Sequence, residues 1–153
     1  MPVPEAEPAV GALRLAHDPS AARGVPAHIT ILFPFLPDDQ VEETALRELF
    51  ERFPAFDFTL DRVERFETGL TWLHANPAWR FADLTAAVWQ RWPDHAPYEG
   101  IHDEVIPHLT VSADAIELDL SLPIACRARE IVLIEEAEPD GMWTARLRFA
   151  LGS

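Results

Sequence analysis

The chain reads as an α+β protein built from two related halves, and three observations predict this. Two tetrapeptides share one pattern, His28-Ile29-Thr30-Ile31 and His108-Leu109-Thr110-Val111, and stand 80 positions apart. Each is followed, later in its half, by alternating segments that read as a hairpin. The remaining stretches carry apolar residues at helical spacing, giving the order helix, strand, helix, hairpin, helix, strand, weak element, hairpin. Elements grouped in this way belong to the α+β class. The repetition relates the motifs by a pseudo-two-fold, which sets them face to face across a groove.

Taken in order, residues 5–17 place Val10, Leu13 and Ala16 or His17 at helical spacing, with Glu5 and Glu7 near the start. A loop at 18–25 leads into the first motif strand, 27–33, which Pro34 and Pro37 close. Residues 38–53 predict the strongest helix. Asp39 and Glu42 form a capping-box pattern, Val41, Leu46, Leu49, Phe50 and Phe53 make one stripe, and Pro54 ends it. Phe56, Phe58 and Leu60 alternate with Asp57, Thr59 and Asp61, a half-buried strand. Thr68-Gly69 turns the chain into a second strand at 70–74. Asn76-Pro77 supplies an N-cap and a first-position proline for a helix to about Trp92, with Phe81, Leu84, Val88 and Trp92 on one face. A polar loop at 93–104 precedes the second motif strand within 105–111, and 112–122 fits either a short helix or a loop. Residues 124–136 read as one strand, Pro139-Asp140-Gly141 as a hairpin turn, and the alternation from Trp143 to Leu151 as the last strand.

At 153 residues with 48% apolar side chains, the chain suits one domain, 1–153, of two packed lobes with a sizeable core. No apolar run approaches the ~20 residues that span a bilayer, and the N-terminus lacks the pattern of a secretory signal. With a single cysteine, Cys126, a soluble cytoplasmic protein is the expectation. Net charge is -14, and every basic side chain is arginine. Such a chain repels long nucleic acids, so a nucleotide or RNA substrate would be a small molecule or a chain end. The phosphate-binding G-x-x-x-x-G-K-[ST], the dinucleotide fingerprint G-x-G-x-x-G and the nucleophile elbow G-x-S-x-G are all missing from the sequence.

The motifs carry the chemistry. Along a strand, residues i and i+2 share a face, so His28 with Thr30, and His108 with Thr110, project together while the intervening apolar residues face the core. A lone strand histidine is usually a solvated or satisfied polar residue. Two such strands side by side present two imidazoles and two hydroxyls to one cleft, a set suited to acid–base work on a phosphodiester. Phe33, Trp72 and Trp143 are candidates to stack on a base, although core packing is the commoner fate of aromatics. His17, His74, His95 and His102 show no metal-ligand spacing. His102 and Asp103 precede the second motif and read as solvated loop residues. Cys126 reads as a buried small residue. Arg127, Arg129, Arg146 and Arg148 read as a solvated face paired with Glu130, Glu135 and Glu136.

The two motifs, with Gly24-Val25-Pro26-Ala27 before the first, Pro34-Phe35 after it and Val105-Ile106-Pro107 before the second, resemble the 2H phosphoesterase superfamily. This group comprises bacterial 2'-5' RNA ligase-like proteins and cyclic phosphodiesterases. The resemblance runs from about Pro2 to Gly152. It implies a bilobal pseudo-two-fold fold, with two antiparallel sheets lining a central cleft and helices outside. It implies metal-independent, cofactor-free hydrolysis of 2',3'-cyclic phosphates or related cyclic phosphodiesters in nucleotides or RNA ends. His28 and His108 would be the catalytic pair. Thr30 and Thr110 would bind phosphate, with Phe33 and Trp143 beside the substrate. A monomer is expected. 2'-5' RNA ligation, or nucleotide binding without turnover in the same cleft, are the alternatives. The segment after Thr110 departs from the family in being short and without a clear long helix.

Overall fold

The computed structural model describes residues 1–102 and 104–153, so the expectation for Asp103 lies outside the described residues. Four strands form one antiparallel sheet in the order β3-β2-β1-β4: β1 Phe56–Arg65, β2 Thr71–Asn76, β3 His108–Ser112 and β4 Ile124–Ala128. A second antiparallel sheet holds β5 Glu130–Ala137 and β6 Met142–Ala150. The helices are α1 Glu7–His17, α2 Pro19–Ala22, α3 Glu43–Phe50 and α4 Trp79–Arg91. The architecture is α+β, as the sequence predicts. Among the described residues no helix is long and apolar enough to cross a membrane.

The periodicities account for the core. Phe56, Phe58 and Leu60 turn to one face of β1, where Phe56 and Phe58 meet Phe81 of α4 edge-on at 5.2 and 5.0 Å. Leu84 and Val88 continue that face of α4. Phe50 of α3 packs on Phe149 of β6 at 5.7 Å, which joins the second sheet to the same core. The β5–β6 turn falls at Pro139-Asp140-Gly141, with Gly141 at φ 68°, a conformation that a side chain would disfavour.

Several expectations are corrected. The first motif lies in no sheet strand. Its backbone joins residues 1–3 instead: Val3 N–H donates to Ala27 O at 2.8 Å, Ile29 N–H donates to Met1 O at 2.9 Å, and Pro2 bridges His28. Burial still alternates, with Ala27, Ile29 and Ile31 buried and His28 and Thr30 partly exposed. The 18–25 loop contains α2, started by Asp18, whose carboxylate accepts from Ser20 N–H at 3.0 Å. The capping box at Asp39 does not form. Asp38–Gln40 makes a 3₁₀ turn, Val41 is extended, and α3 starts only at Glu43. The nearby acids are drawn elsewhere, Asp38 to Arg146 and Glu42 to Arg91. Asn76 ends β2 opposite Thr59 rather than capping α4, which starts at Trp79. Residues 124–136 are two strands in different sheets, with the break at Arg129. Of the two alternatives for 112–122, the structure shows the loop, with no helix.

Candidate active site

Both motifs present their histidines in the same way. His28 Nδ1 lies 2.8 Å from Pro26 O, and His108 Nδ1 lies 2.6 Å from Ile106 O. In each case the partner is the carbonyl two residues upstream. A carbonyl only accepts, so Nδ1 carries the proton in both rings and Nε2 is left with a free lone pair. Burial lowers the pKa of His28 to about 4, with the neighbouring N-terminal amine as the next cause, against the pull of the Pro26 carbonyl. Protein encloses most of this ring, and part of its surface stays open. Burial likewise lowers the pKa of His108, against the Ile106 carbonyl. His108 meets a stacked pair of aromatic rings edge-on, Phe66 at 5.1 Å and Trp72 at 5.7 Å, and this apolar contact disfavours its charged form.

A cavity of about 710 Å³ brings His28, Thr30, Thr110, Phe33 and Trp143 together on one wall system. That volume suits a nucleotide-sized ligand. Phe33 and Trp143 meet edge-on at 6.3 Å, and Phe33 is half exposed. His108 is not among the cavity-lining residues. It stands two positions before Thr110 on β3, so both side chains share a face. Trp72 is buried against Phe66 and His108, which is the packing role and not the stacking one.

The first motif is held by a set of separate donors and acceptors. Besides the contacts to residues 1–3, Glu7 accepts from Ala27 N–H at 2.6 Å and the Thr85 hydroxyl of α4 donates to Ile31 O at 2.6 Å. The second motif is a β3 strand paired with β2, with His74 opposite His108 and Trp72 opposite Thr110. Arg14 ties the second motif to the segment that leads into the first. It is 2% exposed, its Nε donates to Thr110 O at 3.1 Å, and its Nη1 donates to Val25 O at 3.1 Å. Its Nη2 donates to Asp18 at 2.8 Å and to Ser20 Oγ at 3.3 Å.

Sequence reading misses Arg14, although Ala6, Val10 and Arg14 occupy successive turns of one stripe and all are buried. It also misses His74, whose Nδ1 lies 2.8 Å from Asp61 Oδ1 at a β-bulge in β1. The Arg14–Asp18 pair is local, at i,i+4, but the bond from Arg14 to Thr110 and the register that sets His74 beside Asp61 leave no local signal. Among the described residues no three His, Cys, Asp or Glu side chains group as metal ligands do. Burial pushes the Cys126 thiol up to about 11, which keeps it in its unreactive form. Arg148 pairs with Glu130 as expected, whereas Arg127 pairs with Asp57 and Arg129 with Glu5.

Two antiparallel sheets and paired His-x-Thr motifs define a protein of the 2H phosphoesterase class. The family model of the 2'-5' RNA ligase superfamily matches residues 2–143, and the chain belongs to that superfamily. Among solved structures, Escherichia coli LigT complexed with 3'-AMP is 22% identical, with 97% of this chain and 92% of that chain covered and a TM-score of 0.66. LigT in apo form is 23% identical, with 100% and 94% covered and a TM-score of 0.65. The protein TT0787 of Thermus thermophilus is 21% identical, with 83% and 80% covered and a TM-score of 0.58. At these identities the likeness establishes the fold. No curated protein matches the chain.

Proposed function

We propose that the chain hydrolyses a 2',3'-cyclic phosphate or a related cyclic phosphodiester, on a nucleotide or an RNA end, by acid–base catalysis shared between His28 and His108. The observation that carries this reading is the identical presentation of the two rings, each with Nδ1–H tied to the carbonyl two residues upstream and Nε2 without a hydrogen-bond partner among the described residues. One neutral Nε2 takes a proton from water as its oxygen attacks phosphorus. The other ring, protonated, gives its Nε2 proton to the sugar oxygen as the P–O bond breaks. The product is a phosphomonoester with one freed hydroxyl. Thr30 and Thr110, which line the cavity, donate to the non-bridging oxygens where charge accumulates. Phe33 and Trp143 flank the base or ribose. Escherichia coli LigT, which shares the fold, forms complexes with 3'-AMP and with phosphate, and this supports a phosphate-bearing nucleotide as the ligand class here.

The test is turnover of 2',3'-cyclic nucleotides in EDTA by the wild type, His28→Ala and His108→Ala. Each substitution is expected to lower kcat by roughly 10²–10⁴-fold, the usual contribution of one positioned proton transfer. Equal rates for all three proteins, or a requirement for added metal, would overturn the mechanism. Nucleotide binding without any turnover would make this a binding protein.

A further inference from the structure

The loop that follows α2 and the turn between β5 and β6 are far apart in sequence, yet they close on each other at one wall of the cavity. Arg23 ends α2, and Gly24 at φ 93° turns the chain back. From this position Arg23 reaches the β5–β6 hairpin through both its backbone and its side chain. Trp143 N–H donates to Arg23 O at 2.7 Å, and Arg23 Nε donates to Gly141 O at 2.8 Å. Its Nη2 pairs with Glu136, the residue opposite Trp143 in the β5–β6 register. The guanidinium carbon lies 5.9 Å from the centre of the Trp143 ring, within the range of a cation–π contact. Two glycines permit this approach. A Cβ on Gly24 would stand 3.0 Å from Trp143 O, and one on Gly141 would stand 3.4 Å from Arg23 Nη2. Arg23 and Trp143 both line the cavity, and Ile134 and Ala145, opposite each other on the same sheet, give it an apolar floor.

We infer that Arg23 is a positioning residue that clamps Trp143 as a platform for a nucleobase, so that the ligand of this cavity is a base-bearing nucleotide and not a bare sugar phosphate. A tryptophan side chain on a strand turns about two torsions, and ordering it when a ligand arrives costs affinity. The fork of Arg23 removes that freedom beforehand. Its Nε holds the turn carbonyl two residues before the ring, its Nη2 holds the carboxylate across the strand pair, and the carbon between them lies over the indole. A planar guanidinium spans these partners, whereas a lysine ammonium is a single point charge. Phe33 meets the same indole edge-on at 6.3 Å, so this end of the cavity is aromatic and apolar, as a flat base requires. The guanidinium is already neutralised by Glu136, so it serves the ring and leaves the phosphate to the motif residues. Stacking accepts any base, because every base has a π-face.

This inference rests on the phosphoesterase reading for the reaction that is assayed, and the probes separate the two. Arg23→Met keeps the stem and deletes every side-chain donor and the charge. The pair with Glu136 is exposed, and the bond from Trp143 N–H goes to the Arg23 backbone, so the fold is retained. The measurements are KM and kcat on adenosine 2',3'-cyclic phosphate, and affinities for 3'-AMP and for inorganic phosphate by calorimetry, in the wild-type and Trp143→Leu backgrounds. In the wild-type background, Arg23→Met is expected to raise KM and weaken 3'-AMP binding about three- to fivefold, the worth of one cation–π contact near the surface, with phosphate affinity unchanged. In the Trp143→Leu background, where both are already weaker by about tenfold, Arg23→Met is expected to change neither. Arg23→Lys is expected to behave as Arg23→Met. Equal losses in both backgrounds, a parallel loss of phosphate affinity, wild-type values in Arg23→Met or Arg23→Lys, or no binding of 3'-AMP by the wild type would each overturn the inference. If the wild type turns over no cyclic phosphodiester but the 3'-AMP affinities show this coupling, the reaction is wrong and the role of Arg23 stands. If turnover occurs and Trp143→Leu leaves KM unchanged, the reaction stands and the clamp falls.

Discussion

Arg14 is the side chain whose loss the structure makes most costly. It is 2% exposed, and its guanidinium donates to Thr110 O, Val25 O, Asp18 Oδ2 and Ser20 Oγ. Arg14→Met keeps much of the apolar stem and deletes every donor. The Asp18 carboxylate, 7% exposed, then remains buried with its counter-charge gone. Breaking a buried pair from one side costs about 3–5 kcal/mol, and a carbonyl left unsatisfied adds to this. For a domain of this size 1 kcal/mol corresponds to roughly 2–4 °C, so the expected drop in Tm is on the order of 10 °C. Asp18→Asn in the Arg14→Met background removes the stranded charge and is expected to recover part of the loss. The assay is urea unfolding of the wild type, both single variants and the double variant, read as a double-mutant cycle. A loss below about 1 kcal/mol for Arg14→Met, or strict additivity in the cycle, would refute the picture of a buried coupled network.

Two further outcomes follow from the site geometry. The proposed pair needs one neutral and one protonated imidazole, and both rings have pKa values lowered by burial. The kcat/KM profile of the free enzyme is therefore expected to be a bell centred below pH 6.5, falling at higher pH as the acid loses its proton and at lower pH as the base gains one. A kcat/KM maximum above pH 7.5 would contradict the assignment. Gly24 has φ 93°, and an added Cβ would stand 3.0 Å from Trp143 O. Gly24→Ala is expected to destabilise by about 1–2 kcal/mol through both the conformation and the clash. Trp143 N–H donates to Arg23 O at 2.7 Å, so the loop lies against β6, and a change in the urea midpoint equivalent to less than about 0.5 kcal/mol would contradict this contact.

How much the sequence discloses depends on how local each signal is. The alternation Phe56-Phe58-Leu60 and the stripe Phe81-Leu84-Val88 each read correctly, because every residue involved reports its own burial. The break at Arg129 is legible in principle. Cys126 and Ala128 are buried, then Ile131, so the alternation slips phase where the chain leaves one sheet for the other. The first motif reads as a sheet strand because an extended segment held by residues 1–3, Glu7 and Thr85 has the same period as one held in a sheet. Periodicity gives the face a side chain occupies and is silent about the partner that fixes it. The bond from Arg14 to Thr110 and the pairing of His74 with His108 are hidden for the same reason, since these partners lie far apart in sequence. The capping box at Asp39 fails to form for an energetic reason. An exposed cap bond is worth about 1 kcal/mol, and ion pairs to other elements compete with it.

The lowered histidine pKa values and the acidity of the chain bear on the proposed chemistry together. Arg23 and Arg148 reach the cavity wall, and each is paired, Arg23 with Glu136 and Arg148 with Glu130. Arg14 is likewise paired with Asp18. In the proposed reaction the phosphate is then met chiefly by neutral donors, the Thr30 and Thr110 hydroxyls, and by imidazoles whose charged form burial disfavours. A bound phosphodiester carries one negative charge. About 5 Å from an imidazole, at an effective dielectric of about 20, it favours protonation by about 3 kcal/mol, or about 2 pKa units. Applied to His28, which starts at about 4, that lift is enough to bring the ring into the range where it can act as an acid. A ring with an ordinary pKa of about 6.5 would be raised by the same amount to above 8, and would hold its proton more tightly than a departing sugar oxygen requires. In the proposed reaction, burial of the rings and the pairing of the arginines at the cavity wall then act together: the substrate's charge draws a solvent proton onto one imidazole, which passes it to the departing oxygen.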